Sequence, residues 1–294
     1  MNRLYFFILF LFAQSLIVSG QSFFAVRRER TLMASVGTGN ASYFGELKDP
    51  KEYLDPKLNI NVGLQYFIAP RISLRTELTY FQLHGTDVNS PDGSRVRRNL
   101  SFNSSNLEFN AEGIINLFPL DKRYYQRPPI NFYAFFGVGL LYTNPKATLD
   151  GQKYALQPLQ TEDVKYSRFQ FVLPYGLGAR LKINPFFNVA IEGGYRITFT
   201  DYLDDVSTVH PDKSSWDPNS VRFKLSDRRP ELGNAPYEPG AQRGNPDKKD
   251  GYFLLNVKVE YYLPKDFIFK NSQHKLYNRK RKNFNSAGRN RKRR

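Results

Sequence analysis

From residue 58 to residue 263 the chain repeats one pattern, in which apolar and polar residues alternate over about ten positions and a turn or loop follows. The clearest segment sets Leu58, Ile60, Val62, Leu64, Tyr66 and Ile68 on one face, against Asn59, Asn61, Gly63, Gln65 and Phe67 on the other. A period of two marks a β-strand, because successive side chains point to opposite faces. The face that carries the charges then separates a soluble sandwich from a membrane barrel.

The first residues bear on that choice. Arg3 precedes an apolar run from Leu4 to Phe12 that continues through Leu16, Ile17 and Val18, which is the pattern of a secretory signal peptide over residues 1–20. Val18-Ser19-Gly20 suits a cleavage site, so the mature chain is expected to begin at Gln21. An uncleaved anchor is the rival, but Gln14 and Ser15 interrupt the run and it is short for crossing a bilayer. No other stretch approaches the roughly 20 apolar residues of a transmembrane helix. A mature chain that spans a membrane must therefore do so as a closed barrel. The absence of cysteine excludes disulfide staples, thiol nucleophiles and Cys-ligated metal sites.

After a basic stretch within 21–30 (Arg27, Arg28, Arg30), a first strand is expected over Thr31–Gly39, with Leu32, Ala34 and Val36 on one face. The others are expected at 58–68, 72–83, 106–118, 130–142, 171–183, 187–198 and 253–263, making eight in a barrel over 31–263. Ala69-Pro70-Arg71 and Asn184-Pro185 are tight links, so they join antiparallel partners. Proline cannot donate to a ladder, and a bulge is expected at Pro174. The connections at 48–56, 84–99, 145–168 and 200–250 are long, whereas those between them are short or moderate. Short turns at one end, long loops at the other and an even strand number are the marks of an outer-membrane barrel. Eight strands would bring both termini to the periplasm.

A lipocalin-like barrel would keep its apolar side chains inside. Here the polar face carries Arg75, Arg180, Lys182, Arg196 and Lys258, against Glu77, Glu108, Glu112, Glu192 and Glu260. The interior of an eight-stranded barrel is just wide enough to be filled by side chains. These ten groups are therefore expected to form a buried ion-pair network that plugs the lumen, leaving no pore. Its simplest role is to hold the barrel shut.

Candidate chemistry is sparse. His84, His210 and His274 fall in expected loops or the tail, with no nucleophile beside them. A rim hydrolase or acyltransferase needs a His with Ser or Asp, so a non-catalytic protein without a cofactor is expected. Asp201, Asp204 and Asp205 form an acidic group where the seventh strand ends. Carboxylates so spaced could hold a hard cation such as calcium, although a solvated rim is the commoner arrangement.

Charge concentrates at the C-terminus. Residues 264–294 carry twelve Lys or Arg, including Lys275, Arg279, Lys280, Arg281, Lys282, Arg291, Lys292, Arg293 and Arg294, against the single acid Asp266. The basicity belongs to this tail rather than to the barrel. In a cytosolic protein such a run would suggest nucleic acid, but the signal peptide removes that reading. The remaining choices are a solvated flexible tail, or one that meets an acidic protein partner, anionic lipid or cell-wall polymer.

Five segments carry a resemblance: Ala41-Ser42-Tyr43-Phe44-Gly45-Glu46-Leu47, Asn144-Pro145-Lys146-Ala147, Leu156-Gln157-Pro158-Leu159-Gln160-Thr161-Glu162, Pro174-Tyr175-Gly176-Leu177-Gly178, and Thr198 through Ser207. Together they are similar to the PorG family of Bacteroidota outer-membrane barrels, and they spread over most of the barrel. The resemblance implies a component of the type IX secretion system, which supports gliding in some species, associated with a periplasmic ring of PorK lipoprotein and PorN. The barrel would anchor or position that ring in contact with outer-membrane lipid, with no catalysis or conduction of its own. The basic tail is longer than family membership requires, and with no cysteine a disulfide to a partner is impossible. The alternative is a small surface barrel whose long loops, above all 200–250, bind an external target.

Overall fold

In the computed structural model, residues 30–48, 57–120 and 126–264 are described. Eight long strands form the wall: β1 Leu32–Phe44, β2 Leu58–Phe67, β3 Ile72–Thr86, β4 Ser101–Asn116, β5 Ile130–Tyr142, β8 Phe169–Lys182, β9 Phe187–Thr198 and β10 Gly251–Tyr262. Each pairs antiparallel with its sequence neighbours, and β1 pairs with β10, so no wall strand has a free edge. The hairpin β6 Pro145–Leu149 and β7 Gln152–Ala155 extends from the start of β4. Short helices α1 Gly93–Arg98 and α2 Val221–Ser226 lie in two of the long connections.

Burial alternates along the wall as the period of two requires. In β4 residues 107–116 switch strictly between exposed and buried, and β2, β3, β5 and β10 do the same over most of their length. The exposed positions are apolar, including Val62, Leu78, Phe109, Val138, Leu177 and Val257, and together they wrap the barrel in a hydrophobic belt. A contiguous apolar surface of that extent is unfavourable in water. Strands of 10 to 16 residues are long enough to carry it across a bilayer. Rings flank the belt at both ends, with Phe187 against Tyr261 on one side, and Phe44 against Tyr195 and Tyr142 against Phe169 on the other. The molecule is a membrane-spanning eight-stranded barrel with its polar face inward.

The two ends differ. At one end, where β1 begins and β10 finishes, the β2–β3 and β8–β9 links are short. In the β8–β9 turn the Asn184 Oδ1 accepts from the backbone N–H groups of Phe186 and Phe187, which fixes the reversal. At the other end the loops fold over the mouth. Tyr43, Phe81, Leu83, Phe102, Leu141 and Leu254 from the wall pack with Leu203, Val206 and Leu225 from the 199–250 connection, forming an apolar stopper.

Several boundaries differ from the sequence reading. β1 runs five residues further, to Phe44, and β3 extends to Thr86, so His84 is in a strand rather than a loop. The bulge expected at Pro174 is absent. Phe136 pairs with Tyr175 and Gly139 with Val172, three residues apart on both strands, so the register carries past the proline even though the pairs at Leu173 and Pro174 are lost. On its other side Pro174 stays in register with Arg196. Residues 1–29 and 265–294, with the signal peptide and the basic tail, lie outside the described residues.

Candidate functional site

Charged side chains fill the centre of the lumen. The guanidinium of Arg75 donates through Nε and Nη2 to Glu112 Oε2, at 2.8 and 2.5 Å, and through Nη1 to Glu192 Oε2 at 2.6 Å. Lys258 bridges Glu77 at 2.5 Å and Glu192 at 2.8 Å, and the Tyr133 hydroxyl donates to Glu192. Toward the short-link end Arg180 pairs with Glu260 and also donates to Gln65 and Asn116. Toward the loops Glu108 accepts from Tyr252 and Asn110 and lies 3.5 Å from Arg196. These contacts tie together strands from opposite sides of the barrel. Nine of the ten charges predicted inside are thus buried and placed along one column; Lys182, at the end of β8, is half-buried.

Glycines make room for this column. A Cβ at Gly178 would run into the Tyr133 ring, and one at Gly176 or Gly194 into Phe135. With the apolar stopper above, the lumen is a packed interior rather than a passage.

The cap beyond the stopper is also built from charges, and sequence reasoning missed it. Arg243 Nη1 donates to Glu162 Oε1 and to the backbone carbonyl of Asp205. Glu162 accepts further bonds from the N–H groups of Ser207 and Thr208 and from the Tyr202 hydroxyl. Burial opposes its ionisation, but Arg243 and the Ser207 N–H outweigh it and hold the carboxyl below its usual range. Arg98 grips Asp87 and donates to the Arg243 carbonyl, joining the 87–100 loop to the 199–250 loop. Three connections are thereby locked into one body.

The aspartates expected on a solvated rim are instead buried, each at most 3% exposed. They separate into two environments. Asp205 accepts from Thr161 and Tyr166 beside Arg243, and burial, offset in part by Arg243, pushes it up to about 6. Asp204 belongs to a different group, with Glu46 and Asp250, in which one oxygen of each lies within 4.8 Å of the others. The Tyr43 hydroxyl sits between Asp204 Oδ2 at 2.7 Å and Asp250 Oδ1 at 2.6 Å. Burial and the charge of Glu46 push Asp204 up to about 8, while burial and Asp204 raise Asp250 well above the carboxylate range. Glu46 rises to about 7 through burial and the charge of Asp201. The candidate set Asp201, Asp204, Asp205 is therefore corrected to one centred on Glu46, Asp204 and Asp250. Neither Glu46 nor Asp250 carried a spacing signal, because they come from opposite ends of the chain.

The sequence profile of a family described as Domain of unknown function (DUF6089) matches residues 6–224, about three quarters of the chain. The chain belongs to the DUF6089 family. No curated protein matches the sequence. Among solved structures, the DUF6089 chain is similar to Neisserial surface protein A at 9% identity and a TM-score of 0.42, covering 79% of this chain and 97% of that one. It is similar to Ail of Yersinia pestis in complex with sucrose octasulfate, at 13% identity and 0.38, covering 80% and 100%. A major outer membrane protein of Thermus thermophilus matches at 13% and 0.39, covering 80% and 99%. The fold of the DUF6089 chain stands on its own strand pairings.

Of the predicted histidines, His210 is buried in the cap and stacks on Tyr237 at 4.4 Å, with no hydrogen-bond partner at either ring nitrogen. His84 is half-buried at the loop end of β3, and His274 lies outside the described residues. The nine basic residues expected to meet a partner, Lys275, Arg279 to Lys282 and Arg291 to Arg294, also lie outside them.

Proposed function

We propose that this protein is a non-catalytic outer-membrane component of the type IX secretion machinery, and through it of gliding where that occurs. Its short-link end and both termini would face the periplasm, and there it would anchor or position the PorK/PorN ring. The observation that carries this reading is the sealed lumen. Among the described residues, a barrel filled by the Arg75–Glu112–Glu192–Lys258 network and stopped by apolar side chains leaves no route for a solute. Its work must then be done by the surfaces at its two ends. The resemblance to the PorG family supports the partner, and the basic tail offers a salt-sensitive contact for an acidic face of the ring. Affinity purification of the tagged protein should recover PorK and PorN, with recovery falling as salt rises. Normal secretion in a deletion strain, with no ring subunit co-purifying, would refute the proposal.

A second reading is favoured by the ordered cap, which gives the loop end a defined surface able to bind an external target. Ending the chain after Leu263 separates the two. Loss of the tail abolishes ring recovery in the first reading and leaves target binding intact in the second.

A further inference from the structure

Among the described residues, the acidic group at the mouth has little positive charge beside it. The charge of Arg98 acts on both Glu46 and Asp204, but its guanidinium is already committed to Asp87 through two nitrogens. A second observation points the same way. Asp201 is 3% exposed and lies close enough for its charge to act on Glu46 and to feel that of Asp204. Neither of its oxygens meets a donor in hydrogen-bonding geometry, and the Ser207 side chain and the charge of Lys249 compensate it only in part. Oε2 of Glu46 is likewise without a donor. Buried carboxylate oxygens left unsatisfied are costly.

We propose that Glu46, Asp204 and Asp250, with Asp201 beside them, bind one hard divalent cation of the calcium class. The donors are all oxygens, with no histidine or cysteine among them, which selects against softer transition metals. The three ligand atoms fall within 4.8 Å of one another, close enough to share one ion with bonds of about 2.4 Å. Three carboxylates in one place suit calcium, which takes about 6–8 oxygen ligands, better than magnesium, which keeps several of its waters. Tyr43 holds Asp204 and Asp250 toward each other from the stopper side. Because Glu46 follows β1, Asp204 lies in the 199–250 connection and Asp250 precedes β10, the ion would pin that connection to the wall.

The test is titration of Ca2+ into the full mature chain, refolded in detergent and freed of metal with a chelator, followed by isothermal calorimetry. One site per chain is expected, with a Kd of about 10⁻⁴ to 10⁻³ M, as in modules that work at extracellular calcium levels. Mg2+ should bind more weakly. Asp250→Asn and the milder Glu46→Gln should each weaken Ca2+ by about tenfold or more, with Asp163→Asn, outside the group, as the control. Gel mobility of unheated samples reports whether each variant still forms the barrel. Absence of Ca2+ binding by folded wild type would overturn the proposal and leave the carboxyls sharing protons. So would unchanged affinity in folded Glu46→Gln.

Discussion

Replacing Lys258 with Met should be among the most damaging single changes in the barrel, and a second change should undo most of the damage. Lys258 is fully buried and holds Glu77 at 2.5 Å and Glu192 at 2.8 Å. Met keeps the stem and removes the charge. Glu192 would still have Arg75 at 2.6 Å and the Tyr133 hydroxyl, but Glu77 would be left with Arg75 at 3.7 Å and a long bond from Thr79. The loss therefore falls on Glu77. Breaking a buried pair so that one charge remains costs about 3–5 kcal/mol. Adding Glu77→Gln removes the stranded charge with little change of shape, and should recover about 2 kcal/mol or more as coupling in a double-mutant cycle. Urea unfolding of the protein refolded into lipid vesicles, read by far-UV circular dichroism and gel mobility, measures both values if the m-value is constant. Stability of Lys258→Met within about 0.5 kcal/mol of wild type, which is the range of neutral surface changes, would refute the reasoning. A double variant no better than the single one would do the same.

Val62 lies mid-strand in the lipid-facing belt, so Val62→Arg should cost about 2–4 kcal/mol in vesicles, whereas Val209→Arg in the cap should cost far less. Gly178→Leu should destabilise by about 1–3 kcal/mol through its collision with Tyr133, and pairing it with Tyr133→Ala should relieve part of that loss in the same unfolding assay. His210 faces Arg243, Asp227, Lys213 and Glu162, and burial followed by Arg243 lowers it to about 4. A base whose folded pKa is depressed favours folding at high pH, so its contribution is complete above about 6.5 and lost as pH falls toward 4. Protease sensitivity of the cap should rise over that window in wild type and change less in His210→Phe. A cap equally resistant at pH 4 and 7 would contradict this.

Much of the wall was legible because its rules are local. The period of two names the strand and its faces within a few residues, as at 58–68. Two strands fall on their expected bounds, Ile130–Tyr142 and Phe187–Thr198, and along the first Phe132, Phe136 and Val138 face out. The extension of β1 through Phe44 was hidden because Gly37, Gly39 and Asn40 dilute the alternation, and only pairing to β10 carries the strand onward. Pro174 misled because a missing donor need not insert a residue: the β5–β8 ladder drops its pairs at Leu173 and Pro174 and resumes in the same register. The acidic run Asp201, Asp204 and Asp205 looked like a solvated rim because a carboxylate in sequence gives no sign of its burial.

The sequence by itself determined that the chain forms strands, that their apolar side faces outward, and that the charges are confined to the inner face. These follow from side-chain period and from the cost of placing charge in lipid. Tertiary structure decided which charge meets which, since Arg75 and Glu192 are separated by 117 residues and Tyr43 and Asp250 by 207. It also decided that the long polar loops fold into a cap, and that Glu46 and Asp250 join Asp204 there. The physical reason is the same in both cases. Buried polar groups are stabilised by partners from other strands and loops, and only closure of the barrel brings those partners within reach.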